Sequence, residues 1–188
     1  MQTKVIPPAD YPRLYALVEE YLPGTSRDAL DAMCAEFPSA VVGGYLEGAL
    51  IAVCYGMAND AEDFMLDGIC VEWDYMKAGR GGELLAFFEA QVRALGYTRV
   101  TLGSADGHVE RFYLKHGYTP VELKVYADEG FCEELSAGYR FPVAYTQPEG
   151  ARLKLVIAVT DYAAMDKEEI AAHYKGSDPF FVFTKRLG

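Results

Sequence analysis

Residues 68–118, GICVEWDYMKAGRGGELLAFFEAQVRALGYTRVTLGSADGHVERFYLKHGY, decide the fold of this chain. Their apolar and glycine spacing predicts a buried strand ending at Val71, a glycine loop, and a helix from about Gly82 to Leu95. A second strand over 99–102 and a helix capped by Asp106 follow. A strand that leads through glycines into a helix start is typical of sites that bind phosphate groups.

The loop between this strand and this helix has the composition of an anion-binding turn. Glycines lack the Cβ atoms that keep a phosphate away from the backbone, and the N–H groups at a helix start carry positive dipole charge. One lysine and one arginine add formal charge, the arginine with the geometry for two parallel hydrogen bonds. Glycine turns also arise for steric reasons alone, so the loop by itself leaves that interpretation open. The candidate phosphate-binding residues are Lys77, Ala78, Gly79, Arg80, Gly81 and Gly82.

Two segments of this stretch resemble the motifs of the GNAT superfamily of N-acetyltransferases. The segment VEWDYMKAGRGGELL (71–85) is similar to the family's acyl-CoA-binding signature in its valine, glycines and leucines. It departs from that signature at Trp73, where proline is common, and at Met76, which replaces Arg or Gln. The segment SADGHVERFYLKHGY (104–118) is similar to a downstream family motif, with Asp106 and Val109 in place of asparagine and alanine.

The resemblance implies a mixed α/β fold, an α+β arrangement around a mixed sheet, with an acyl-CoA-binding core over residues 1–126. The remaining residues, 127–188, are predicted to form a C-terminal β-α-β extension that packs on or completes the same sheet. The acidic segment 127–138, ADEGFCEELSAG, is predicted to be an exposed connection.

The resemblance also implies a reaction: transfer of an acetyl group from acetyl-CoA, or another acyl-CoA, to a primary amine. Backbone groups of Ile69, Cys70 and Val71 would pair with the pantetheine arm, and the Val71 N–H would polarise the thioester carbonyl. Asp106, at the family's asparagine position, would belong to the cofactor-binding residues. Tyr113 would protonate the departing thiolate, since a phenol stays protonated at neutral pH. A packed helix tyrosine is the competing interpretation of Tyr113.

An amine nucleophile must lose a proton before it attacks, so the reaction requires a base. Asp67, on the strand leading to Val71, is the candidate; a carboxylate with only local hydrogen bonds is the competing interpretation. Asp63 and Glu72 are alternatives. Trp73 and Tyr75 are predicted to line the acceptor pocket.

Composition and residue spacing bear on the partners, the location and the metal content of the protein. The chain has 188 residues and a net charge of −11, which disfavours nucleic acid as a partner and agrees with a cationic amine. No apolar run is long enough to span a membrane, and no secretory leader is visible. The scattered cysteines do not suggest a disulfide framework, so a location in the reducing cytoplasm is predicted. The four cysteines and His173 show no ligand spacing, so no metal is expected.

Two further hypotheses remain open. The departures at Trp73, Met76 and Asp106 favour, as the alternative to an enzyme, a non-catalytic acyl-CoA-binding or regulatory domain. The C-terminal extension could instead serve as a dimerisation element, which would make the protein a homodimer. The identity of the acceptor does not follow from the sequence, because acceptor pockets are formed by loops.

Overall fold

The computed structural model describes residues 1–76, 78–104, 106–138, 141–173 and 177–188, and at 132, 136, 138 and 173 it describes the backbone alone. The chain divides into two compact units, one of residues 1–101 and 186–188 and the other of residues 102–185. Both combine helices with a sheet, which confirms the predicted mixed α/β class. The domain boundary predicted after residue 126 falls inside the second unit and stays a prediction.

The first unit is built on a sheet whose strands lie in the order β1-β2-β3-β4-β5. The first three pairings are antiparallel, and β4 pairs with β5 in parallel. The last strand continues into the second unit. In chain order the elements are β1 (Gln2–Val5), α1 (Tyr11–Tyr21), α2 (Arg27–Glu36), β2 (Val42–Leu46), β3 (Ala49–Ala58), β4 (Asp63–Val71), α3 (Arg80–Ala94) and β5 (Arg99–Ser104).

The core of the first unit forms because α1 and α2 each bury one apolar stripe. Leu14 and Leu17 of α1 and Leu30 of α2 are buried in one cluster with Val53 and Tyr55 of β3. Successive strand residues point to opposite faces, so this cluster lies on a single face of the sheet. The side chain of Ser26 accepts a hydrogen bond from Ala29 N at 3.2 Å and caps the start of α2.

The second unit has its strands in the order β9-β6-β8-β7, with antiparallel pairing throughout. Asp106 caps the first helix of this unit, as predicted, because its side chain accepts from the N–H groups of His108 and Val109. The elements are α4 (Gly107–Lys115), β6 (Thr119–Ala127), α5 (Glu129–Gly138), β7 (Val143–Glu149), β8 (Arg152–Ala158), α6 (Lys167–His173) and β9 (Phe180–Arg186).

The exposed connection predicted over residues 127–138 is wrong, because Glu129–Gly138 forms the helix α5. The Asp128 carboxylate accepts a hydrogen bond from Phe131 N at 2.9 Å and satisfies one N–H group of the first turn. Phe131 and Leu135, four residues apart on one face, are both buried. Two apolar anchors at helical spacing are therefore enough to order an otherwise acidic segment.

Across the described ranges, no helix combines the length and the apolar character that crossing a bilayer requires. Within the same ranges, no three His, Cys, Asp or Glu side chains are grouped so that they could hold a metal ion.

Candidate functional site

The helix α3 has an open N-terminal end. Gly79 precedes it with φ of 76°, a left-handed conformation that glycine adopts without strain, and no described side chain caps the helix there. A Cβ atom built on Gly79 would meet no heavy atom of the described residues within 4 Å. The first intrahelical bond runs from Glu83 N to Gly79 O at 3.2 Å, so the N–H groups of Arg80, Gly81 and Gly82 precede the helical ladder. These N–H groups suit an anion such as a diphosphate.

Arg80 ties the start of α3 to the loop before it. Its Nη1 donates to Tyr75 O at 2.8 Å, and its guanidinium lies 5.7 Å from the centre of the Tyr75 ring. Positive charge is thereby held at the helix start next to Tyr75. The predicted acceptor-lining role of Tyr75 stays a prediction. Ala78 is exposed. Lys77 lies outside the described residues, so its predicted role is untested.

On the side opposite β3, the part of β4 beyond Met65 has no strand pairing among the described residues of the first unit. This part is the free edge of β4. The described pairing of β4 with β5 ends at Met65 and Thr101. On the other side Glu72 N donates to Ile51 O at 3.0 Å, and antiparallel ladders alternate in direction. The N–H groups of Ile69 and Val71 therefore point away from β3, whereas the backbone of Cys70 faces it.

A β-bulge interrupts β4 at Asp67. Tyr55 pairs with Gly68 and Gly56 pairs with Leu66, so Asp67 is the extra residue on β4. A Cβ atom on Gly68 would lie 2.4 Å from Cζ and 2.5 Å from the hydroxyl oxygen of Tyr55. Glycine at 68 is thus required for the Tyr55 ring to pass beneath the bulge.

Asp67 lines a cavity of about 580 Å³ in the first unit. The rest of its lining comes from the end of α1, the loop after it and the start of α2: Tyr21, Leu22, Pro23, Gly24, Thr25, Ser26 and Ala29. Thr25 Oγ1 donates to Asp67 Oδ2 at 3.3 Å, and the Tyr55 hydroxyl donates to Thr25 Oγ1 at 2.9 Å. Among the described residues of this lining, Asp67 is the one charged side chain.

The environment of Asp67 favours its acting as a base. Its side chain is exposed to the cavity, yet burial by the cavity walls raises the pKa of the carboxyl, and the hydrogen bond from Thr25 opposes that rise. Withdrawal of water penalises the charged form, and a donor to the carboxylate stabilises it. A carboxylate with a raised pKa is a stronger proton acceptor than one in water.

Trp73 lies close to the cavity without lining it. Its side chain is 71% exposed, and its ring centre is 6.1 Å from that of Tyr21, which does line the cavity. An exposed tryptophan beside an aromatic wall residue is suited to contact a ligand. The predicted acceptor-lining role of Trp73 stays a prediction.

The two alternative bases have structural partners. Asp63 is buried, and its carboxylate accepts from Asn59 Nδ2 at 2.8 Å and Thr101 Oγ1 at 2.7 Å and pairs with Arg99 Nε at 3.2 Å. Glu72 forms an ion pair with Arg13. Both carboxylates therefore help to hold the first unit together, and Asp67 is the better candidate.

The remaining two predicted site residues belong to the second unit. Asp106 is used as the cap of α4, with its Oδ1 2.6 Å from His108 N. Tyr113 is buried on α4, and its ring centre lies 5.5 Å from that of Tyr118 and 6.3 Å from that of Phe183. This packing agrees with the competing interpretation of Tyr113 and does not test its proposed role as an acid.

Sequence reasoning missed Thr25 and Tyr55. Thr25 lies just before a helix and Tyr55 lies within a strand, so neither position by itself indicates a role in a site. The signal that points to them is Gly68: a glycine in the middle of an otherwise apolar strand indicates a bulge or a close approach by another group.

The fold of this chain is known from solved structures. The chain has the fold of the GNAT N-acetyltransferases, which confirms the resemblance seen in the sequence. No family model and no curated protein matches the chain.

Three solved structures illustrate this similarity. Ard1 from Thermoplasma volcanium has a TM-score of 0.63 and 13% identity over 100% of this chain and 97% of its own. An aminoglycoside 6'-N-acetyltransferase complexed with coenzyme A has a TM-score of 0.56 and 14% identity, covering 85% of this chain and 96% of its own. The ribosomal-protein-S18-alanine N-acetyltransferase from Escherichia coli has a TM-score of 0.56 and 14% identity, covering 84% of this chain and 92% of its own. Identities of this size establish the fold and leave the substrate open.

Proposed function

We propose that the chain is an N-acetyltransferase that moves an acetyl group from acetyl-CoA, or another acyl group from its CoA thioester, to a primary amine. The acceptor would be a small molecule or a peptide. The observation that supports this most is the open start of α3 next to the free edge of β4, in a fold shared with N-acetyltransferases.

The residues present fit acetyl-CoA. The N–H groups of Arg80, Gly81 and Gly82 would hold the diphosphate, and the glycine before them leaves room for it. The backbone groups of Ile69 and Val71 on the free edge would hold the pantetheine arm by strand-like pairing. Acetyl-CoA supplies the activated thioester when bound.

Asp67 would accept the proton of the ammonium group so that the neutral amine can attack. A cavity with a carboxylate and no cation among its described lining residues favours a positively charged acceptor. Burial raises the pKa of the Cys70 thiol to about 12, which keeps it protonated and unreactive. Direct attack by the amine is therefore favoured over an acyl-cysteine route.

Acetyl-CoA binding tests the first part of this proposal. Gly81→Trp is expected to weaken the affinity for acetyl-CoA at least about 100-fold, because it displaces an anion from two or more backbone donors. Ala94→Trp, at the exposed far end of the same helix, is the matched control and should bind as the wild type does. Isothermal calorimetry measures both. A wild type that does not bind acetyl-CoA would end the proposal.

A non-catalytic acyl-CoA-binding or regulatory domain is the second candidate, and the burial of Tyr113 among aromatic rings favours it. It predicts acetyl-CoA binding without turnover of any amine in a broad panel.

Tyr113→Phe separates these candidates once an acceptor is found. If Tyr113 protonates the leaving thiolate, as the sequence resemblance implies, kcat should fall about 100-fold with an unchanged Kd for acetyl-CoA. Tyr97→Phe, a tyrosine outside the proposed site, is the control. An unchanged kcat in Tyr113→Phe would leave Tyr113 a packing residue.

The other predictions from the sequence stay proposals. They comprise the cytoplasmic location, a homodimer formed through the C-terminal extension, and the lack of a nucleic-acid, membrane or metal partner.

A further inference from the structure

The cavity of Asp67 ends on a chain of two hydroxyl groups that leads into the core of the first unit. Tyr55 is fully buried at 0% exposure, its hydroxyl lies 2.9 Å from Thr25 Oγ1, and Thr25 Oγ1 lies 3.3 Å from Asp67 Oδ2. The three residues come from β3, from the loop between α1 and α2, and from the bulge of β4. This convergence depends on Gly68, which leaves the space that the Tyr55 ring occupies.

The chemistry of these groups fixes the direction of the hydrogen bonds. An ionised carboxylate accepts and cannot donate, so the single hydroxyl proton of Thr25 must be given to Asp67. Thr25 Oγ1 then has only lone pairs to offer Tyr55, and the Tyr55 hydroxyl must be the donor. The order is therefore Tyr55 to Thr25 to Asp67.

We propose that Thr25, supported by Tyr55, is the positioning residue that prepares Asp67 as the proton acceptor for the amine. The proposal rests on the proposed function. Because Oδ2 of Asp67 is engaged by Thr25, Oδ1 is the oxygen directed to the acceptor. One proton passes from the ammonium to Oδ1, which leaves a neutral amine and a neutral carboxylic acid, and the acid returns its proton to water in the cavity.

Two described tyrosines of the first unit connect Asp67 to other titratable groups. Tyr21 lines the same cavity and has Glu20 and Glu72 beside it. Tyr55 interacts with Asp67 and has Cys54 and Cys70 beside it. The lining contributed by the loop and by α2 is uncharged. Burial raises the pKa values of Tyr55 and Cys70, so both stay neutral around pH 7. Removal of the Thr25 hydroxyl thus changes one interaction of the carboxylate without changing a neighbouring charge.

Thr25→Val tests the proposal, because valine keeps the shape and removes the donor. The acidic limb of the kcat/KM profile, measured with the first amine of a panel that is acetylated, should move to higher pH, since the charged carboxylate has lost a stabilising donor. On the plateau, kcat should fall about tenfold, as for the loss of one hydrogen bond to a charged group. Thr25→Ser should restore both quantities, and Kd for acetyl-CoA should not change.

Two tyrosine variants form a matched pair. Tyr55→Phe should also move the acidic limb of the kcat/KM profile to higher pH, but by less. In this variant Thr25 still donates to Asp67, but it has lost the hydrogen bond from Tyr55 that fixes its position. Tyr45→Phe removes a hydroxyl that donates to Asp10 at 2.7 Å in the same unit, and it should leave the profile unchanged. A limb that is the same in the wild type and Thr25→Val, or one that Thr25→Ser fails to restore, overturns the proposal.

A second readout separates this proposal from the proposed function. The carboxyl carbon of Asp67, labelled with ¹³C and assigned with Asp67→Asn, can be titrated by NMR without any acceptor. A higher pKa of Asp67 in Thr25→Val, with Thr25→Ser restoring the wild-type value, supports the positioning role. If no amine is acetylated, the proposed function fails, and the NMR titration still decides whether Thr25 controls Asp67. Equal titration of Asp67 in all three proteins overturns the proposal.

Discussion

Asp67→Asn is expected to lower kcat for amine acetylation by about 10²–10⁴-fold, the usual contribution of a general base. Asparagine keeps the shape of the side chain and its hydrogen bond to Thr25, but it cannot take up a proton. The Kd for acetyl-CoA should not change, because Asp67 lies in the cavity under the α1–α2 loop, apart from the start of α3. Steady-state kinetics and calorimetry measure the two quantities.

The pH dependence of the wild type follows from the same carboxylate. The raised pKa of Asp67 means that the protonated form persists to higher pH than for an ordinary aspartate. Activity should be lost as the pH falls through this raised pKa, and Asp67→Asn should lack that limb. Glu62→Gln, an exposed acidic residue just before β4, serves as the control. Full activity in Asp67→Asn would exclude Asp67 as the base.

Lys167→Met is expected to lower the free energy of unfolding by about 3–5 kcal/mol, the cost of leaving a buried charge without its partner. The side chains of Lys167 and Glu110 are 5% and 4% exposed and form an ion pair. The Tyr162 hydroxyl donates to the other carboxylate oxygen of Glu110 at 2.7 Å. Within the second unit, these contacts join α4 to the start of α6 and to the loop between β8 and α6. Removal of the ammonium leaves Glu110 with one neutral donor, the Tyr162 hydroxyl, among the described residues.

A double variant distinguishes the charge from the packing. Glu110→Gln combined with Lys167→Met removes both charges and keeps a partner for Tyr162, so it should be more stable than Lys167→Met alone. Arg152→Met, which breaks the more exposed pair with Asp178, should cost about 1 kcal/mol or less. Urea denaturation followed by circular dichroism measures all three, since the single tryptophan lies in the first unit. A loss below 1 kcal/mol in Lys167→Met would contradict this prediction.

Local patterns predicted most of the elements because their causes lie within a few residues. Ser26, Asp106 and Asp166 each accept from an N–H group in the first turn of a helix, as their positions in the sequence indicate. Gly96 and Gly117 adopt positive φ after α3 and α4, as helix-ending glycines do. The wrong prediction at α5 has a local cause as well: acidic residues favour a loop, whereas the apolar pair Phe131 and Leu135, four residues apart, favours a helix.

Local patterns predicted the candidate base only in part, and they did not predict the residues that hydrogen-bond to it. Asp67 was a candidate from its place on the strand, but so were Asp63 and Glu72. Only the structure separates them, because it gives Asp63 three polar partners and Glu72 an arginine, while it places Asp67 on a bulge facing a cavity.

The sequence by itself determined most of the helices and strands, with α5 as the exception, the glycine turn before α3 and the resemblance to an acyl-CoA-dependent family. Each of these rests on hydrophobic periodicity, capping or backbone freedom, which act between near neighbours in the chain. Tertiary structure alone decided that Thr25 and Tyr55 meet at Asp67. Thr25 is 30 positions from Tyr55 and 42 positions from Asp67 in the sequence. Such contacts depend on strand register and loop packing, and no spacing rule along the chain records them.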